Sequence, residues 1–192
     1  MVKFGIHKLI IMVDFKSFIE AENKKEKQKK VNFDPEERIS LFRDRVNELY
    51  ALIDDDWLKA YIENDEIKTF YRDIQITEEL LGSYPVREKI IEIGRHVFIL
   101  RPIGTILIGT PGRVDLLYQS RKVMFVLVGE NVKSPRAQIT IKINGEIEGR
   151  GREKDPGRLV WKYTQRDGVM TYHDLSADSF QKLLMNLTNG KD

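Results

Sequence analysis

The chain has 192 residues, 41% hydrophobic and 32% charged, and its 32 Lys and Arg against 30 Asp and Glu leave a formal charge of +2. That length suits one well-buried domain or two small ones, and the near-balance of charge argues against a protein held to nucleic acid by overall charge. The absence of cysteine excludes a disulfide scaffold, a thiolate nucleophile, Cys-ligated zinc and iron–sulfur clusters.

At the N-terminus, Lys3 and Lys8 flank the apolar run Leu9-Ile10-Ile11-Met12-Val13, which is too short for a signal peptide and is closed by Asp14. Met12 is a possible alternative start. No stretch approaches the roughly 20 apolar residues of a membrane helix. A cytoplasmic location without a membrane partner is the expectation.

A first helix is expected from about Asp14 to Lys30, with Phe15, Phe18 and Ile19 on one side. Its lysine-rich end, residues 24–30, buries nothing and reads as a solvated helix end or a link. The next helix has clearer signals. Asp34 is placed as N-cap, Pro35 as the first helical residue and Glu37 as the third, an Asp version of the capping box. Ile39, Phe42, Val46, Leu49, Ile53, Trp57 and Tyr61 then recur at spacings of three and four, one apolar face over about six turns. This stripe could serve as a coiled-coil seam, but Trp57 and Tyr61 favour docking on a sheet. Asp54-Asp55-Asp56 reads as a solvated face, because successive helical residues point about 100° apart and share one ion poorly.

From Glu66 the period changes to two. Ile67, Thr69 and Tyr71 alternate with Lys68, Phe70 and Arg72. Residues 87–100 read as a hairpin around Gly94-Arg95, a pair suited to a type II′ turn. Further strands are expected at 105–108, 113–118, 122–128, 137–143, 159–163 and 169–172, with a hairpin turn at Asn144-Gly145. Ser176 caps a final helix with the stripe Phe180, Leu183, Leu184 and Leu187, and Gly190 stops it. Val123 to Val128 is six apolar residues without alternation, the pattern of a strand buried on both faces. A helix on each face, or one face used for dimerisation, would explain it.

The expected fold is α+β: a mostly antiparallel meander of seven to nine short strands, with a long N-terminal helix and a C-terminal helix packed on it. A helical arm over residues 1–64 and a β-rich domain with its closing helix over 65–192 would form one compact unit.

Motifs carrying chemistry are sparse. Gly104 to Thr110 has the glycine spacing of a phosphate loop but Thr where the lysine belongs, and its bulky intervening residues favour a strand. Asp115, on a strand that begins a hairpin, invites a metal-dependent nuclease reading. The next strand, however, holds no acid or lysine in its interior. The alternative for Asp115 is a polar strand residue paired with Arg113. The three histidines, His7, His96 and His173, lack a partner at helical ligand spacing. His173-Asp174-Leu175-Ser176 is too contiguous to form a triad.

Charge is unevenly spread: residues 1–96 sum to −3 and residues 97–192 to +5. Arg150, Arg152, Lys154 and Arg158 form a glycine-rich basic loop that could track a phosphate backbone, with Trp161 and Tyr163 as stacking groups. With so few motifs of chemistry, the expectation is a non-enzymatic cytoplasmic binding or protein-interaction domain. Its ligand would be a protein partner or a second copy of the chain, and no cofactor is expected. The alternatives are a nucleic-acid-binding protein using Arg150, Arg152, Lys154 and Arg158, and a metal-dependent phosphodiesterase or nuclease-like enzyme using Asp115.

Overall fold

Period-two alternation from Lys68 onward builds a seven-stranded antiparallel sheet that mostly keeps chain order. Its strands are β1 (Lys68–Glu78), β2 (Gly82–Ile93), β3 (His96–Gly104), β4 (Arg113–Tyr118), β5 (Arg121–Gly129), β8 (Leu159–Asp167) and β9 (Val169–Asp174), in the order β1-β2-β3-β4-β5-β8-β9. Between β5 and β8 in the chain lies a separate two-stranded ribbon, β6 (Lys142–Ile143) with β7 (Glu146–Ile147). The computed structural model describes residues 15–20, 23, 34–105, 110–135, 142–143, 146–147 and 157–190. The expected strands at 105–108 and 137–143, the turn at 144–145 and the lysine-rich run 24–30 fall wholly or largely outside these residues.

The chain divides into two compact units, residues 1–35 and 36–192. In the first, residues 15–20 are helical, and the rings of Phe15 and Phe18 stack with centroids 6.3 Å apart. The second holds the sheet and the remaining helices: α1 (Pro35–Leu52), which starts at the unit boundary, α2 (Lys59–Glu63) and α3 (Ala177–Asn189). None of the described helices is long and apolar enough to cross a membrane.

The fold is α+β, a meander with a long helix and a closing helix packed on it. Phe42, Val46 and Leu49 of α1 are buried, as the stripe predicts, and Tyr50, which the stripe leaves out, is buried beside them. Beyond Leu52 the helix widens into a π-helical turn, Ile53–Trp57, closed by Leu58 N–H on Ile53 O at 2.9 Å. The extra residue in the turn rotates the chain downstream of it. Leu58 is buried in place of Tyr61, which is 43% exposed. A stripe read at fixed spacing cannot anticipate that shift.

At α3, Ser176 Oγ accepts from Ser179 N–H while Ser179 Oγ accepts from Ser176 N–H, a reciprocal cap. Gly190, at φ 73°, ends the helix in the left-handed conformation that glycine adopts without penalty.

Register places both long helices on the same face of the sheet. Ile91, Phe98, Leu100, Leu116, Val114 and Phe125 line that face in successive cross-strand pairs. Trp57 and Phe125 meet Phe180 of α3, with ring centroids 5.4 and 6.2 Å from it. Trp161 Nε1 donates to Arg45 O at 2.9 Å, and Gln181 Nε2 to Trp57 O at 2.9 Å. The expected helix on each face is therefore corrected: the inward stripe of α3 continues the core that α1 begins. Val126 and Val128, which point the other way, are nonetheless buried. Beside them the chain after β5 folds back: Lys162 Nζ donates to Glu130 O and Tyr172 N–H to Lys133 O, both at 2.8 Å.

Candidate functional site: the helix-free sheet face

Opposite the helices, the middle of the sheet carries charge where a core would carry leucine. Antiparallel pairing sets Arg72 against Glu88 and Arg101 against Asp115. Glu88 is fully buried between two guanidinium groups: Arg72 pairs with Oε1, and Arg101 Nε donates to Oε2 at 2.8 Å. Asp115, 3% exposed, receives Arg113 Nε on Oδ1 and its terminal nitrogen on Oδ2, both at 2.6 Å, and Lys122 Nζ stands 3.9 Å away. A bidentate guanidinium fork of this kind fixes a carboxylate strongly. Burial here comes from long basic side chains lying over the carboxylates, on the face that α1 and α3 leave open.

Aliphatic side chains lie among these ion pairs. Ile99 and Leu117 are directly opposed across β3 and β4, Val97 is 46% exposed, and Phe70 on β1 is 41% exposed. At the β3–β4 end the surface dips into a groove of about 490 Å³ lined by the apolar Val97, Ile99 and Leu117, by Tyr118 and Gln119, and by the cationic Arg95 and Arg101.

The candidate residues named from the sequence are scattered. Asp115 is on this face, but both its oxygens are occupied by Arg113. Among the described residues no three His, Asp or Glu side chains gather to hold a metal. Arg158 is exposed and 3.7 Å from Glu130 Oε2. Arg150, Arg152 and Lys154 lie outside the described residues. The stacking groups expected beside that loop are committed elsewhere. Trp161 is hydrogen-bonded to α1, and Tyr163 stacks on His173 at 5.2 Å. His173 Nε2 is 2.9 Å from Thr171 Oγ1, Asp174 accepts from Lys162 at 2.8 Å, and Ser176 caps α3, so these residues form no triad.

One buried cluster on the helix side has no counterpart among the sequence motifs. Lys89 has no side-chain exposure and binds Asp54 Oδ2, with Tyr71 Oη 3.3 Å away and the Tyr71 ring centroid at 4.5 Å. Burial holds its pKa below the ordinary lysine value, while Asp54 acts to raise it. Asp54 is thus corrected from a solvated residue to the ion-pair partner of a core lysine. Helical spacing supplies the reason, since Asp54 follows the buried Tyr50 by four residues and shares its face toward β2. Nearby, β2 and β3 cease to pair beyond Lys89 and Leu100, and Tyr50 Oη fills the fork, 3.1 and 3.0 Å from Arg87 O and Leu100 O. Burial raises the Tyr50 hydroxyl well above the usual phenol range.

The hairpin turns would have revealed the outer face. A two-residue turn at Gly94-Arg95 pairs Ile93 with His96, and counting outward sets Glu88 beside Arg101. The register, more than any motif, contains the site. No protein-family model matches the chain, and no curated protein or solved structure is significantly similar to it.

Proposed function

We propose that this chain is a non-enzymatic protein-interaction domain that engages its partner through the helix-free face of the sheet. The observation that carries this reading is the placement of both long helices on one face. The opposite face is left with partly exposed aliphatic residues set among arginines whose charges are only partly neutralised. Arginine and apolar side chains with few lysines are the composition of interface centres. The opposed Ile99 and Leu117 with half-exposed Val97 offer apolar contact that a phosphate backbone does not use, which favours a protein over a nucleic acid.

The test compares tagged wild-type chain with Val97→Glu and Met185→Glu, recovered from the cells that produce it. Both positions are exposed, at 46% and 55%, so neither substitution disturbs the core. The expected result is a stoichiometric protein partner that is lost with Val97→Glu and kept with Met185→Glu. Recovery of nucleic acid instead, or equal retention by both variants, overturns the reading.

A further inference from the structure

The groove at the β3–β4 end of this face has a chemistry that narrows the partner. Part of its lining is aliphatic: Ile99 and Leu117 are cross-strand neighbours and Val97 stands beside them. Part is cationic. Arg95 lines the groove, and Arg101 gives Nε to Glu88 while its side chain remains 42% exposed. Lys122 faces Leu117 across β4 and β5. On the surrounding face, Lys68, Arg72 and Arg113 add three further cations. The opposing acids on β2 and β4 are Glu88, Glu92 and Asp115, with Lys68 facing Glu92, and farther along the face Asp174 is held by Lys162 at 2.8 Å. Each carboxylate is thus answered from within the sheet, and a surplus of positive charge is left around an apolar lining.

We infer that the groove receives a linear segment of the partner in which an aliphatic side chain is flanked by carboxylates. This inference rests on the interaction reading above and commits it to one ligand class. The aliphatic side chain fills the depression over Ile99 and Leu117, and the flanking carboxylates meet the Arg95 and Arg101 guanidinium groups, which offer several N–H donors each. A second copy of the chain docked by the same face would bring two cationic surfaces together, so charge favours a different, acidic partner. A groove of about 490 Å³ falls within the size range of sites that hold a few side chains.

The probe is a fluorescein-labelled peptide of alternating leucine and glutamate, titrated by anisotropy against the full chain, with a leucine–lysine peptide as the charge-reversed control. Saturable binding of the acidic peptide alone is expected, weakening as salt is raised. Arg95→Glu should reduce affinity about tenfold or more, and Val97→Glu comparably, while Met185→Glu leaves it unchanged. Circular dichroism confirms that each variant is folded. Absence of saturable binding, equal binding of the lysine peptide, or insensitivity to Arg95→Glu refutes the inference. If the peptide fails while a partner is still lost with Val97→Glu, the acidic-segment assignment falls alone. If Val97→Glu loses nothing, the interaction reading falls with it.

Discussion

Replacing Asp54 with asparagine should strand the ammonium of Lys89. The lysine side chain is fully buried, and its polar contacts are Asp54 Oδ2 and Tyr71 Oη. Breaking a buried ion pair from one side costs about 3–5 kcal/mol. The proton sets an independent ceiling, because Lys89 can escape by losing it. Discharging a lysine of ordinary pKa near 10.4 at neutral pH costs about 4.6 kcal/mol, at 1.36 kcal/mol per pH unit. Asparagine keeps an acceptor oxygen, and the Asp54 side chain is 21% exposed, so water reaches the pair. Together these place the loss at about 2–3 kcal/mol.

With a urea m-value of about 2 kcal/mol/M, the midpoint should fall by about 1–1.5 M. Lys89→Met removes the charge along with the pair and leaves an apolar chain against the Tyr50 and Tyr71 rings. Asp54 then keeps Tyr71 Oη at 2.8 Å, and the cost should stay within about 1 kcal/mol. The pH dependence has a definite sign. Without Asp54 the native lysine pKa falls further below the unfolded one, so the native state holds fewer protons across that window and gains stability as pH rises. The Asp54→Asn deficit should therefore shrink between neutral pH and about pH 10. Urea melts monitored by tryptophan fluorescence decide it. A deficit below about 0.5 kcal/mol, one independent of pH, or a costlier Lys89→Met refutes the reasoning.

The same geometry sets three further outcomes. Gly104 has φ 149°, and a Cβ there would lie 2.8 Å from the Glu78 carboxyl carbon, whose oxygens accept Thr105 N–H at 3.0 and 2.9 Å. Gly104→Ala should cost about 1–3 kcal/mol in denaturant melts, and an unchanged midpoint would contradict the strain described. Phe180→Ala empties the space between Trp57 and Phe125 and should cost about 3–5 kcal/mol; a loss under about 1 kcal/mol would mean that α3 is not anchored there. Of seven tyrosines, Tyr50, Tyr71, Tyr84 and Tyr172 have hydroxyls that burial raises above the ordinary value of 10.0. The native state keeps protons that the unfolded chain releases, so stability should fall as pH climbs past that value. Phenolate absorbance should show at least Tyr50, Tyr71 and Tyr84 still protonated at about pH 11. Full ionisation at that pH with structure intact would contradict their burial.

Much of the fold is legible in the chain because its signals are local. The stripe from Phe42 to Ile53, the Ser176 cap, the Gly190 stop and the turn at Gly94-Arg95 each depend on residues within one or two turns of one another. The features that escape a sequence reading depend on register or on a change of helical pitch. Of the run Val123 to Val128, Phe125 to Val128 are buried on both faces as expected, while Val123 and Met124 are half-buried. Yet the chain after β5 lies beside Val126 and Val128, which leaves the second helix free to join the first on the other side. Asp54 reads as solvated because it opens a run of three acids, although it lies four residues beyond the buried Tyr50 and so on the side of the helix that meets Lys89. Asp115 reads correctly as the partner of Arg113. Its place in a charged ladder with Arg101, Glu88 and Arg72 requires three strand pairings to be counted at once. The open face is legible residue by residue and invisible as a surface until the strands are aligned.

Site-specific photo-cross-linking asks whether the helix-free face meets a partner protein. Benzoylphenylalanine placed at Val97, on that face, is compared in cells with the same group at Met185, on the outer side of α3. A discrete protein adduct is expected from position 97, suppressed by Arg95→Glu and absent from position 185. An adduct from position 185 alone, or none from position 97, would contradict docking through this face.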